Sequence, residues 1–256
     1  MPRKQDENLL HLSIFIICKD EAHIIGRTLE QACKLAKEVI VVDSGSADDT
    51  FSIATKYANK VYLQEWQGYA AQKNYALSLC RNKWVLSLDA DEIMTDELIE
   101  EIRDFFKSGA YYKYLGFRLP RRLYIGSKFV KWGGFYPDYQ LRLFLKDIGR
   151  FQELPVHESV EILDEASGEY ITKSQKLIYD FKNPLDHYSY ATIGQLEATY
   201  MKYASLSHKK TSKLWARVKA AYTFVYKFLI RAGLFDGKLG LQLAIIYAKY
   251  TFKKYQ

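Results

Sequence analysis

The sequence predicts an α/β protein in which a mostly parallel sheet is followed by a helical, basic appendage. Strand-like apolar runs alternate with helical patterns as far as about Lys107, which implies right-handed crossovers and parallel pairing. One run, Trp84-Val85-Leu86-Ser87-Leu88, has almost no polar alternation and stops at Asp89-Ala90-Asp91-Glu92, as suits a central strand covered on both faces. Beyond about Thr192 the pattern turns helical and the charge strongly positive. The expected division is a domain over 1–190 and a helical region over 191–256.

Each element has a local reason. Leu12 to Cys18 is a β-rich run, and a helical pattern follows Lys19-Asp20-Glu21 through about Ala36. Glu38 to Val42 reads as the second strand, ending at Asp43-Ser44-Gly45-Ser46, after which Asp48 and Asp49 favour a helix start. A third strand over Lys60 to Trp66 precedes Gly68 and a helix carrying Gln72-Lys73-Asn74. After Asp91, a helix from about Thr95 to Lys107 has Asp96 and Glu97 in its first turn and Ser108-Gly109 at its end. Tyr111 to Phe151, interrupted by Gly116, Gly126, Gly133, Gly134 and Pro137, reads as an irregular β region.

Composition narrows the function classes. A hydrophobic fraction of 48% over 256 residues argues against disorder and allows a proper core. Cys18, Cys33 and Cys80 have neither C-x-x-C spacing nor an even count, so they read as reduced core thiols rather than a disulfide frame or zinc site. Reduced core thiols suit a cytoplasmic protein, and the polar residues before the first strand do not resemble a signal peptide. The net charge of +7 is unevenly placed: residues 202–256 hold 12 Lys and Arg against one acid, Asp236, for a net of +11, whereas the remainder is net −4. Charge alone would permit nucleic-acid binding, but no recognised nucleic-acid module accompanies it, and none is expected.

The chemistry concentrates at strand ends. Ligands of parallel sheets bind at the carboxyl ends of strands, and Asp89 and Asp91, two residues apart, point to one side of an extended chain. Two such oxygen donors suit a Mg²⁺ or Mn²⁺ that also grips a diphosphate, although an acid-x-acid triplet equally forms a solvated turn before a helix.

Taken in order, Cys18-Lys19-Asp20-Glu21, Asp43-Ser44-Gly45-Ser46-Ala47-Asp48-Asp49-Thr50, Gln72-Lys73-Asn74 and Asp89-Ala90-Asp91-Glu92 resemble the family 2 glycosyltransferases of GT-A fold, a Rossmann-like architecture. Trp132-Gly133-Gly134-Phe135-Tyr136-Pro137-Asp138, Val156-His157-Glu158 and the Gly-Leu-Phe-Asp-Gly-Lys stretch at 233–238 are similar to the bacterial branch that adds glucose to the inner core of lipopolysaccharide. The resemblance implies a nucleotide-sugar pocket formed by Glu21, Asp43, Lys73 and Asp89. It implies a divalent cation held by Asp91 and His157. An inverting transferase also needs a base for the acceptor hydroxyl. Asp138 is the expected base, with Glu158 in reserve, although relatives often carry a Glu-Asp pair where this chain has Pro137-Asp138. Trp132, Tyr136, Gln140 and Arg142 are expected on the acceptor side, Arg142 either meeting an acceptor phosphate or bracing Asp138.

On a helical reading of the tail, Leu214, Val218, Ala221, Val225 and Phe228 share a face, and Lys213, Arg217, Lys227 and Arg231 lie on another. The apolar run at 239–248 is too short to span a bilayer. The pattern fits interfacial anchoring to anionic lipid, or a helical pair packed on the catalytic domain. The expectation is a metal-assisted hexosyltransferase using a UDP-sugar, with UDP-glucose as the donor and the lipopolysaccharide core as acceptor, peripheral to the inner membrane. A polyprenyl-phosphate acceptor and a non-catalytic membrane-binding scaffold are the competing readings.

Overall fold

The computed structural model describes residues 8–152, 159–164, 168–171, 176–207, 209 and 211–256. The chain forms two compact units, one of Met1–Pro120 with Tyr139–Leu185 and the other of Arg121–Asp138 with Asp186–Gln256. Residues 121–138 therefore group with the C-terminal helices rather than with the sequence that flanks them.

The first unit is the mixed α/β, mostly parallel arrangement expected of GT-A. Strands β1 (Leu10–Cys18), β2 (Ala36–Asp43), β3 (Lys60–Leu63) and β4 (Trp84–Asp89) are all parallel, in the order β3-β2-β1-β4. Helices α1 (Ile25–Leu35), α2 (Thr50–Tyr57) and α3 (Tyr69–Leu79) make the crossovers. β1 is buried from Leu12 onward because both its faces are covered. Leu12, Ile14 and Ile16 enter one apolar cluster with Leu29 of α1, whereas Phe15 and Ile17 enter another with Ala76 and Leu77 of α3. That two-residue alternation explains a strand that looks uniformly apolar in sequence.

After β5 (Glu92–Met94), α4 (Asp96–Lys107) is capped by Thr95, whose hydroxyl accepts from Leu98 N at 3.2 Å. β6 (Gly116–Ile125) and β7 (Lys128–Phe129) form a hairpin whose tip belongs to the second unit. β8 (Asp138–Leu145) returns antiparallel to β4, pairing Leu143 with Leu86. β9 (Gly149–Gln152), β10 (Ser159–Asp164) and β11 (Glu169–Ile171) make a small antiparallel sheet, and β12 (Ile178–Asp180) runs parallel to β6. The first helix starts at Ile25, later than the pattern suggests, because residues 20–22 are hydrogen-bonded to the loop after β2.

In the second unit the end of β6 lies beside β13 (Leu185–Tyr190), with Gly126 N donating to Tyr190 O at 2.8 Å. α5 (Ile193–Leu206) opens with a capping box between Thr192 and Gln195. α6 (Lys213–Val225) continues into a π-turn at Tyr226–Ile230, and a 3₁₀ turn at Gly233–Asp236 leads into α7 (Gly237–Lys254). Ile125, Val130, Leu196, Leu243 and Ile246 form its core. A Cβ on Gly240 would lie 1.8 Å from Gly233 O, so that turn and the start of α7 nest as closely as backbone permits. Among the described residues, no helix is long and apolar enough to cross a membrane.

Candidate active site

The register of the parallel strands gathers a group of carboxylates in the first unit. Cys18 pairs with Asp43 and Ile17 with Asp89, so β1, β2 and β4 end together. The loops at 20–22 and 43–50 are laced to each other. Asp20 N donates to Ser46 Oγ at 2.9 Å, Asp20 Oδ1 accepts from Ala47 N at 2.7 Å, and Glu21 N donates to Thr50 Oγ1 at 2.7 Å. Asp43 is fully buried. Its Oδ1 accepts from Gly45 N and Ser46 N, both at 2.8 Å, and its Oδ2 from Ser46 Oγ at 2.6 Å. Asp43 thus shapes the loop at the position where a nucleotide contact is expected. Burial, then the Asp43 charge, pushes the neighbouring Cys18 thiol far up, which keeps it protonated and inert.

Asp89 lies between two cations. Lys73 Nζ donates to Asp89 Oδ1 at 2.6 Å and Arg142 Nη2 to Asp89 Oδ2 at 2.7 Å. The same Arg142 nitrogen reaches Glu92 Oε1 at 2.5 Å, and Glu92 Oε2 accepts from Asp89 N at 3.1 Å. Lys73, Glu92 and Arg142 are all buried, so two cations and two anions share a largely buried network at the strand end. Charge-assisted bonds in so dry a setting hold geometry firmly. Thr28 of α1 fixes the intervening turn by donating to Ala90 O at 2.7 Å. The carboxyl of Glu21 is pushed up to about 7, first by burial and next by the charges of Asp91, Asp48 and Asp20. A negative field of this kind, rather than a complete protein cage, suits a cation that keeps phosphate and water ligands. Among the described residues, no three His, Cys, Asp or Glu side chains converge as a metal cage.

Asp138 and the loop carrying Trp132 and Tyr136 belong to the other unit. Asp138 Oδ2 accepts from Arg121 Nη2 at 2.8 Å and Nε at 3.1 Å. Trp132 N donates to Asp236 Oδ2 at 2.8 Å and Gly133 N to Arg231 O at 2.8 Å. Tyr136 meets the Phe129 ring edge-on at 5.4 Å. Lys227 Nζ donates to Gly133 O at 3.1 Å and lies 4.2 Å from the Phe135 ring centroid and 4.1 Å from that of Tyr247. Gly133 and Gly134 both take left-handed backbone conformations, with φ of 71° and 78°.

A model of the family described as "Glycosyl transferase family 2" matches residues 13–151, more than half of the chain. The chain belongs to the family 2 glycosyltransferases. An uncharacterized glycosyltransferase of Rickettsia conorii is 33% identical over 252 residues, covering 94% of this chain and 87% of its own length. The lipopolysaccharide core biosynthesis glycosyltransferase LpsC of Rhizobium meliloti is 32% identical over 162 residues, 59% of this transferase and 57% of LpsC. The structure of S. aureus TarS 1-349 in complex with UDP-GlcNAc aligns with a TM-score of 0.47 at 16% identity, over 93% of this transferase and 79% of that chain.

Of the expected site residues, Glu21, Asp43, Lys73, Asp89 and Asp91 gather at the ends of β1, β2 and β4. Arg142, expected on the acceptor side, is bonded to Asp89 and Glu92, and Arg121 is the residue that braces Asp138. Gln140 is half-buried on β8. His157 and Glu158 lie outside the described residues. Sequence reasoning assigned no role to Asn74, which exchanges two 2.9 Å bonds with the backbone of Phe151. Nor did it assign one to Gln72, whose Nε2 bridges Ser44 Oγ and Gln64 O, both at 3.1 Å. Both lie in the Gln-Lys-Asn motif, so the signal was present but its partners were not.

Proposed function

We propose that the chain is an inverting hexosyltransferase that moves glucose from UDP-glucose to the inner core of lipopolysaccharide, assisted by Mg²⁺ or Mn²⁺. The observation that carries this reading is the cluster of carboxylates at the ends of β1, β2 and β4, where Asp91, Asp48 and Asp20 act on the part-buried Glu21 carboxyl beside the Asp43 loop. The relation to LpsC supports the acceptor class. In this reading Asp91, with His157, would hold the cation, which would supply positive charge to the diphosphate leaving group. Glu21 and the Asp43 loop bind the nucleoside end of the donor. Asp138, oriented by Arg121, takes the proton of the acceptor hydroxyl as its oxygen bonds to the anomeric carbon and the bond to the diphosphate breaks, giving inversion. Trp132, Tyr136 and Gln140 contact acceptor sugars. A lipid-linked acceptor puts the reaction at the cytoplasmic face of the inner membrane.

The test is thermal unfolding with UDP, GDP, ADP and CMP, each with and without Mn²⁺, because a ligand of the native state stabilises it by about 2.7 kcal/mol at a hundredfold excess over Kd. A rise confined to UDP with metal, lost in Asp91→Ala, is the expected result. No rise with any nucleotide rejects the donor assignment. Extraction of product then separates the acceptors: sugar on core oligosaccharide supports the proposal, and sugar on an acid-labile phospholipid supports a polyprenyl-phosphate acceptor instead.

A further inference from the structure

α6 and the π-turn carry an apolar stripe on the wrong side for a core. Leu214, Trp215, Val218, Tyr222, Val225 and Leu229 are each between 42% and 70% exposed, whereas Ala216 is buried. The positions 214, 218, 222, 225 and 229 recur at helical spacing, so the exposure is one continuous face. Soluble monomers rarely present contiguous apolar surface on this scale. Charge decides what covers it. Lys213, Arg217 and Lys219 flank the stripe in a segment with a net charge of +11, so two copies brought together would crowd like charges. An anionic phospholipid surface satisfies the apolar face and the cations at once.

The stripe is also tied to loop 131–137. Lys227, in the π-turn that extends α6, bonds Gly133 and lies against Phe135, while Asp236 holds Trp132 N. The Trp132 and Phe235 rings pair at 5.6 Å and are 39% and 69% exposed. We infer that the outward stripe of α6 and the π-turn rests on an anionic phospholipid bilayer, and that Lys227 makes this lipid-facing surface continuous with the loop carrying Trp132 and Tyr136. The lipid contact thereby orients the acceptor loop, a step that rests on the acceptor role proposed above. Lys227 is a positioning residue and touches no reacting atom.

The experiment is co-sedimentation of the full chain with vesicles of phosphatidylcholine containing phosphatidylglycerol, against phosphatidylcholine alone. The wild type is expected to bind only the anionic vesicles, less tightly as salt rises. The triple variant Leu214→Ser, Val218→Ser and Leu229→Ser is expected to lose binding by about tenfold or more while keeping transfer to a delipidated core acceptor. Lys227→Met is expected to keep vesicle binding but to raise KM for a vesicle-embedded acceptor by about tenfold relative to the delipidated one. Undiminished binding by the triple variant overturns the proposal, as does a wild-type dimer that the triple variant dissolves, or equal wild-type binding to neutral vesicles. An unchanged KM ratio in Lys227→Met overturns the positioning step. Vesicle binding with no transfer by the wild type to either acceptor rejects the proposed acceptor and supports the lipid surface on its own.

Discussion

Lys73 of the first unit is buried and Lys227 of the second is half-buried, and their cations are compensated in different ways. Lys73 ends on a carboxylate, Asp89, that Arg142 shares. Lys227 ends on a peptide carbonyl between two aromatic rings, and burial, then the nearby Arg231, pulls its ammonium down to about 8. Apolar residues are placed in equally different ways. Phe15 and its neighbours are fully enclosed between sheet and helices, whereas Leu214 and Leu229 point outward along a cationic helix. The first unit fixes charges in an interior built to hold them, and the second keeps its apolar side chains available to something outside it.

The largest expected effect breaks the compensation in the first unit. Arg142→Met leaves Glu92 buried and short of a cation, and a loss of about 3–5 kcal/mol in urea unfolding is expected. Close behind it, Phe15→Ala opens a cavity in the sheet core and is expected to cost about 3–5 kcal/mol. Leu214→Ser is its counterpart in the second unit, and a change within about 0.5 kcal/mol in the same assay would sharpen the contrast. A loss as large as that of Phe15→Ala would abolish it. Asp236→Ala removes the acceptor of Trp132 N and is expected to cost about 1 kcal/mol.

The subtlest effect is a slope. The native pKa of Lys227, about 8, is below its ordinary 10.5, so between these values the unfolded chain binds more protons than the native one. This lysine therefore makes stability rise with pH across that window, relative to Lys227→Met. Thermal unfolding of both proteins from pH 8 upward checks the sign, and parallel curves would show that the ammonium is not held as described.

How much of this was legible in the sequence follows from how far each signal reaches. β1 and β4 were visible because a strand covered on both faces needs apolar residues at every step, a local demand. The carboxylates at the ends of β1, β2 and β4 were visible because each sits where an apolar run stops. The pairing of Arg142 with Asp89 was not, since 53 residues separate them and only the antiparallel return of β8 brings them together. The tie between Trp132 and Asp236 spans 104 residues, although both segments had been singled out. In the tail, periodicity gave α6 an apolar face centred on Leu214, Val218 and Val225, but no periodicity says whether a face is covered. The structure leaves these three exposed and adds Tyr222 and Leu229 to them.

The nesting of Gly240 against the Gly233 carbonyl bears on how such tails can be exchanged. Gly233 is itself hemmed in, since a Cβ there would lie 2.6 Å from Lys227 O. Residues 227–240 thus form a block in which each backbone segment is shaped to the next. A recombination junction between homologues that splits this block joins backbone segments not shaped to each other. Within it, a junction that brings in any side chain at position 240 would pry the final helix from its turn, and with it the anchor of Trp132.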